Sequence, residues 1–388
     1  MLDDVGCFLT LAIRARRGEH ERREFVELYT RLGDATCREA ARLNKVESKV
    51  AAALVESLAP AGRPAYWVSL LEANERRVES LIEGLKKVTV ELDARSCPYA
   101  VVEGGGVLLG SDLPFSEYCS GDFDVTVSEK TWARAKDAPA AAGFVARERD
   151  GRVPWYRTEY GRKVERGTEW IALGCSPFDR SWVPLRYSDR TDVWLERRVE
   201  SRRVPGLFVL SPSDALALVS GHNSIHSYVH SPGLRLHVDV DRLVRDNSID
   251  WDSYLHEVRA MGIPTRAFVA LSVAVGLLGS PVPRRVLREL YPGAKRWGTI
   301  QAILASDSAV ANGRPKLARR KAITLEMLLE EGGPLQWMMW AANPPQDWLV
   351  NHFGRDTGGA QDTRLRLQTS RLLDVLRRWF PSARRQDR

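Results

Sequence analysis

Residues Gly121-Asp122-Phe123-Asp124-Val125-Thr126-Val127 alternate polar and apolar side chains with a period of two. That period belongs to a β-strand with one buried face, because successive side chains of a strand point to opposite sides. Phe123 and Val125 then face a core, and Asp122 and Asp124 project together from the other side. Two carboxylates held side by side repel each other. A divalent cation between them removes the repulsion, and hard oxygen ligands suit Mg2+. Alternating charge also describes the wet face of an edge strand, so this pattern alone does not establish a metal site. Upstream, the apolar run Val101-Val102 leads through Glu103 into Gly104-Gly105-Gly106. A glycine-rich turn at that point lets the backbone come close to a phosphate.

The chain has 388 residues, enough for two domains or one large domain with additions. A hydrophobic content of 44% supports a full core. Fifty-seven basic against 50 acidic residues leave +7 at pH 7, with a pI of about 9.2. Such a balance attracts a nucleotide or another polyanion without identifying nucleic acid as a partner. The local basic clusters, Arg14-Ala15-Arg16-Arg17, Lys316 to Lys321 and Arg384-Arg385, read as solvated helix faces or tails. Five cysteines without a CxxC spacing predict neither a disulfide framework nor a zinc site. Reduced thiols in a cytoplasmic protein are the expectation. Cys119 borders the Asp122 strand but carries no mark of a nucleophile. Asp3 and Asp4 open a chain start that lacks a basic segment followed by an apolar one, so no signal peptide is expected. The longest apolar stretch, Ala267 to Leu278, is shorter than the roughly 20 residues a bilayer requires and reads as a buried helix.

Element by element, the pattern is helical from Phe8 to about Leu58, with Phe25, Leu28, Tyr29 and Leu32 at helical spacing. Pro60, Gly62 and Pro64 interrupt it. A long amphipathic helix follows from about Trp67 to Ala94 and ends at Cys97-Pro98. Strands are predicted at Tyr99–Val102, Asp122–Val127, 144–149, 153–160, Glu169–Leu173 and Val204–Leu210, with Gly161-Arg162-Lys163 as a hairpin turn. Ser128 can cap a helix through Trp132, and Ser211-Pro212-Ser213-Asp214 is a helix start. From there the chain is almost wholly helical, and no internal repeat is present. The predicted class is α+β: an N-terminal helical region over 1–94, a small mixed-sheet α/β core over 95–210, and a helical domain over 211–388.

Cys97-Pro98-Tyr99-Ala100-Val101-Val102-Glu103-Gly104, with Asp122 falling 18 residues after Gly104, begins an ordered series of matches. Ser211-Pro212-Ser213-Asp214, His222, His226 and Leu234-Arg235-Leu236-His237-Val238-Asp239 continue it. Ile249-Asp250-Trp251, Leu277-Leu278-Gly279-Ser280-Pro281 and Asn343-Pro344-Pro345 with Trp348-Leu349 complete it. On these residues the chain resembles the uncharacterised nucleotidyltransferases of bacteria, polymerase-β-like in type, from about Arg38 to Gly354. The resemblance implies Asp122 and Asp124 as the catalytic, Mg2+-binding pair. It implies Glu103, Gly104, Gly105, His222, His226 and Arg235 as nucleotide-contacting residues. The implied substrates are a nucleoside triphosphate, ATP first, and a small-molecule or peptide acceptor, as in natural-product biosynthesis.

The chain departs from the family pattern at three places. Glu103 stands where the family usually has Lys, Tyr118 where an Arg is expected, and Ala172 where a third carboxylate belongs. Glu169 lies on the opposite strand face from Ala172. Loss of the third acid removes a general base for an attacking hydroxyl. A nucleotidyltransferase-fold protein without transfer chemistry, binding a nucleotide, a peptide or a partner enzyme, is therefore the alternative, as is a repurposed enzyme using the same pocket. His222, His226 and His230 share a helix face at a metal-like spacing, but no Cys or carboxylate nearby completes a tetrahedral set. Arg235 and Asp239 stand at i, i+4, which allows a helix-face ion pair or, alternatively, a phosphate contact by Arg235. Trp155, Tyr156, Trp170 and Trp182 could line an acceptor cleft, although core packing is the commoner role of such residues.

Overall fold

A stripe of apolar residues every three or four positions decides how the molecule is assembled. Val78, Leu81, Ile82, Leu85, Val88 and Leu92 lie on one side of a 30-residue helix and are all buried. In the computed structural model, which describes residues 2–14, 17–147, 157–164, 167–176, 187–225, 233–246, 248–306, 319–343, 349 and 366–370, that stripe packs on a seven-stranded sheet.

The chain begins with helices α1 (Asp4–Ile13), α2 (Glu19–Leu32), α3 (Asp34–Leu43) and α4 (Glu47–Ser57). Asp3 caps α1 by accepting from the Gly6 amide at 2.8 Å. Phe8 and Phe25 stack at 5.0 Å in the core of this arm. The long helix α5 (Ala65–Ala94) belongs to two cores at once. Trp67 is buried among the arm helices, and the stripe from Val78 to Leu92 covers the sheet.

Next come β1 (Tyr99–Val102), α6 (Glu103–Gly110), β2 (Asp122–Val127), the short helices α7 (Trp132–Ala135) and α8 (Ala138–Ala141), then β3 (Val145–Ala146), β4 (Arg157–Val164) and β5 (Gly167–Gly174). Helix α9 (Thr191–Glu196), β6 (Val199–Glu200) and β7 (Phe208–Val209) close the core. The spatial order is β3-β4-β5-β2-β1-β7-β6. Strand β2 runs antiparallel to β1 and parallel to β5, so the sheet is mixed. Phe123, Val125 and Val127 pack towards α5, with Val101 and Ile171. Ala100 and Val102 belong to the core on the other side, which the C-terminal helices build.

Those helices are α10 (Pro212–Ile225), α11 (Arg235–Asp246), α12 (Trp251–Met261), α13 (Pro264–Leu278), α14 (Arg284–Leu290), α15 (Ala294–Ser306), α16 (Arg319–Leu329) and α17 (Gly333–Ala342). Ser211 accepts from the Asp214 amide at the start of α10, and Gly262 and Gly279 end α12 and α13 with positive φ. Two buried charge networks lock the bundle. Glu257 accepts from Trp194 Nε1 at 2.9 Å, from Arg190 at 2.9 Å and from Arg197 at 2.8 Å. Arg266 donates to Glu326 at 3.0 Å and Glu330 at 3.1 Å. No helix among the described residues is long and apolar enough to cross a membrane.

The model is α+β with helices at both ends of one mixed sheet, as the residue pattern predicts. Three local expectations need correction. Gly161-Arg162-Lys163 is not a hairpin turn but the middle of β4, because Arg162 pairs across the ladder with buried Glu169, at 3.0 Å. The Gly104-Gly105-Gly106 run is not a loop but the first turn of α6. The strand expected over Val204–Leu210 shrinks to Phe208–Val209.

His237 of α11 is wholly buried and accepts from Asn223 Nδ2 of α10 at 3.1 Å, which aligns the two helices that flank the β2 carboxylates. Burial holds its ring neutral and lowers its pKa from 6.5 to about 4. The unfolded chain takes up that proton below about pH 6.5 and the folded chain does not. Stability is therefore lost as pH falls from about 6.5 to 4, by about 3 kcal/mol from this residue. Urea unfolding of wild type and His237→Gln across that window should show a flatter pH dependence in the variant.

Candidate active site

The site is built outward from β2. Because Phe123 and Val125 are consumed by the core against α5, Asp122 and Asp124 emerge on the face turned towards α10 and α11. Asp122 is half-buried and accepts from Ser120 Oγ at 2.7 Å. Asp124 is buried, and Arg157 Nη2 of β4 reaches its Oδ1 at 2.7 Å. Burial pushes the Asp124 carboxyl well above the usual range. Repulsion from Glu103 and Asp122 adds to this, while Arg157 opposes it.

Glu103 is the hinge between β1 and α6. It adopts a φ of 53°, the left-handed region that costs a non-glycine residue roughly 1–2 kcal/mol. Its side chain is buried and lies 2.9 Å from His222 Nδ1 of α10. Burial opposes its charge, but His222, Arg157 and Arg235 overcome that and hold the carboxyl down at about 2. Glu103 and Asp124 are thus pushed in opposite directions by one shared charge cluster.

The three glycines divide by role. A Cβ on Gly106 would sit 2.7 Å from the Val101 carbonyl oxygen, and one on Gly105 would sit 2.8 Å from the Phe123 ring. These two let α6 lie directly on the sheet. Gly104 faces the site instead, where a Cβ would meet only Arg235 Nη1 at 3.4 Å, Tyr118 at 3.6 Å and Asp239 Oδ2 at 3.7 Å. The first amides of α6 have no side-chain cap, since Val102 holds the N-cap position.

Arg235 and Asp239 of α11 do not form the i, i+4 ion pair their spacing allows. Among the described residues no acidic oxygen lies within 4.0 Å of Arg235, which makes no hydrogen bond either, and the buried Asp239 Oδ2 has no hydrogen-bond partner. Both side chains are drawn instead towards the α6 turn. Burial works against the Arg235 guanidinium, but the nearby carboxylates of Asp239, Glu103 and Asp122 outweigh it and push its pKa up.

Tyr118, which replaces the expected Arg, is a supporting residue. It is buried, donates to the Asp122 carbonyl at 2.8 Å and meets Phe123 edge-on at 5.5 Å. Ala172 lies beside Asp124 in the β2–β5 register, so no third acid stands there. Glu169 points to the α5 side, bound to Arg162 and Ser80. One strand further, Glu159 of β4 shares the register row of Ala172 and pairs with Arg147 at 3.2 Å. His226, His230, Trp155, Tyr156 and Trp182 lie outside the described residues.

The structure therefore gathers Glu103, Gly104, Asp122, Asp124, His222 and Arg235 into one neighbourhood. Arg157 went unread in the sequence because only the β4–β5–β2 pairing carries it to Asp124; its alternation with Glu159 is the faint signal. Among the described residues no three His, Cys, Asp or Glu side chains enclose a metal by themselves. Two carboxylates on one strand nevertheless fit Mg2+, which keeps few protein ligands and takes the rest from water and phosphate.

A family model described as uncharacterised nucleotidyltransferase matches residues 36–279. No curated protein and no solved structure gives a significant match.

The glycine geometry predicts opposite outcomes at neighbouring positions. Gly106→Ala should lower stability by about 1–3 kcal/mol through the clash with a backbone oxygen. Gly104→Ala, in ordinary contact distance, should stay within about 0.5 kcal/mol of wild type or gain slightly from helix propensity. Equal losses in urea unfolding of the two variants would contradict this division.

Proposed function

The chain belongs to the uncharacterised nucleotidyltransferase family, and from that premise we propose that it transfers a nucleoside monophosphate from a nucleoside triphosphate to an acceptor held beside Asp122 and Asp124. The observation that carries this reading is Arg235: a cation without an ion pair among the described residues, placed at Gly104 in the uncapped first turn of α6. Free amides at a helix N-terminus and an adjacent guanidinium form an anion site. It faces two carboxylates that repel each other.

In this reading the triphosphate lies along the α6 turn, with the Gly104 and Gly105 amides and Arg235 binding its oxygens. Asp122 and Asp124 would hold Mg2+, which when bound supplies charge compensation for phosphate oxygens during in-line displacement. The Arg157 guanidinium, now on Asp124 Oδ1, would yield that oxygen to the metal and turn towards phosphate. The pair of Glu103 with His222 fixes the strained β1–α6 hinge and so aims the α6 amides. The acceptor attacks the α-phosphorus and pyrophosphate leaves.

A second reading, nucleotide binding without transfer, is favoured by the contacts that already engage Glu103 with His222 and Asp124 with Arg157, and by Ala172 beside Asp124. Both readings require the same nucleotide site, and only the first requires pyrophosphate release.

Calorimetric titration with ATP, CTP, GTP and UTP should show Mg2+-dependent binding of at least one of them. Asp122→Asn combined with Asp124→Asn should remove it with the fold unchanged by circular dichroism. Unaltered binding in that variant would place the nucleotide elsewhere. Arg235→Met should weaken binding about tenfold, the loss of one charge-assisted contact.

A further inference from the structure

A second cavity, of about 780 Å3, lies between the N-terminal arm and the loop that enters β2. Helix α5 supplies one wall with a stripe that includes Tyr66, Asn74 and Arg77. Trp170 of β5 supplies the opposite wall, and Trp170 is the register partner of Asp122. Ser120 and Gly121, the residues leading directly into Asp122, line its inner end. The cavity therefore opens beside Asp122, where the loop enters β2.

Arg77 is the feature the cavity is built around. Its Nε and Nη2 both donate to Asn74 Oδ1, at 3.2 and 2.7 Å, and Nη2 also donates to the Ser120 carbonyl at 2.7 Å. Every one of these acceptors is neutral. Among the described residues no carboxylate oxygen lies within 4.0 Å of the guanidinium, and Nη1 has no hydrogen-bond partner. A half-buried guanidinium fixed on one edge and open on the other is poised for an anion, since its charge is partly desolvated and uncompensated. The cavity also has aromatic lining: Trp170, whose ring carries Arg147 at 5.1 Å, and, towards its other end, Tyr66, whose ring carries Arg38 at 3.8 Å. The cavity is also polarised along its length. The charge of Glu47 acts on Tyr66, while Arg77 senses Asp122. Tyr66 and Arg77 are 11 residues apart on α5, about 16 Å along the helix axis.

The acid missing at position 172 bears on what this cavity accepts. A hydroxyl acceptor must lose a proton to become a good nucleophile, and the site places Ala172 where the base would stand. A carboxylic acid, with a pKa of about 4, is already ionised at neutral pH and needs no base.

We propose that this cavity holds the acceptor and that the acceptor is a small carboxylic acid with a flat, aromatic body, its carboxylate on Arg77 Nη1 and its ring against Trp170. The proposal rests on the nucleotidyl-transfer reading. One carboxylate oxygen forms a bond to the α-phosphorus of the triphosphate. The bond from that phosphorus to the bridging oxygen breaks, and its electron pair leaves with pyrophosphate. No proton is transferred, and the product is an acyl-nucleotide mixed anhydride.

The test uses the full chain and three probes: phenylacetate, indole-3-acetate and the neutral match 2-phenylethanol. Ligand-observed NMR and calorimetry should show saturable binding of both acids and binding of the alcohol about tenfold weaker. Arg77→Met should weaken both acids about tenfold, Arg77→Lys should restore part of the loss, and Trp170→Leu should weaken them from the opposite wall. Thermal unfolding checks each variant for folding. With ATP, Mg2+ and hydroxylamine present, hydroxylamine attacks the carbonyl carbon of the mixed anhydride and releases the nucleotide, so phenylacetate labelled with heavy oxygen in its carboxylate should pass label into AMP. Equal affinity for acid and alcohol, or wild-type affinity in Arg77→Met, overturns the pocket. Bound acid without label in AMP overturns the carboxylate as nucleophile. Absence of ATP binding by wild type, with acid binding intact and dependent on Arg77, overturns nucleotidyl transfer instead and leaves the pocket standing.

Discussion

Burial of Phe123 and Val125 against α5 is the contact on which the rest of the structure depends. Both side chains are essentially excluded from solvent, and each such burial is worth roughly 1.5–3 kcal/mol. A one-residue slip of β2 would drive Asp122 and Asp124 into that core and expose Phe123, so the register is strongly held. The carboxylates are therefore presented by the same packing that stabilises the sheet. Helix α5 extends the effect, since its first turns also enter the arm core. The arm, the sheet and the second cavity are positioned by one rigid rod.

Around β2 the molecule solves an electrostatic problem. Glu103, Asp122, Asp124 and Asp239 converge in a partly desolvated space, where burial and mutual repulsion push the Asp124 and Asp239 carboxyls up while Glu103 is held down. The compensation is uneven. His222 takes Glu103 and Arg157 takes Asp124, while Arg235 stands near Gly104 without closing on Asp239. Arg77 of α5 hydrogen-bonds only neutral acceptors. Among the described residues, His222 and Arg157 are engaged by carboxylates, whereas Arg235 and Arg77 make no ion pair.

Residues 103, 118 and 172 take on physical meaning in this setting. Glu103 lies against His222 at the strained hinge between β1 and α6. Tyr118 supports Asp122 through its backbone. Only Ala172 has no substitute in its own strand, and Glu159 in the next strand is engaged by Arg147.

The sequence by itself determined the elements and their faces. The period-two alternation at 121–127 and the three-four spacing along 67–94 are local patterns, and the strand and helix they predict are present as β2 and α5. It determined the nucleotidyltransferase family as well, through ordered matches that a single Asp-x-Asp could not carry. It did not reveal that Gly105 and Gly106 are packing glycines, because the clash that requires them is with Val101 and Phe123 across the fold. It misread Gly161 as a turn, because a lone strand does not show that its partner strand places Trp170 against it. Arg157 on Asp124, the separation of Arg235 from Asp239, and the cavity with Arg77 were decided by tertiary structure alone. Charge partners are chosen by distance through space, and that distance is set by strand order and helix packing, which no local spacing encodes.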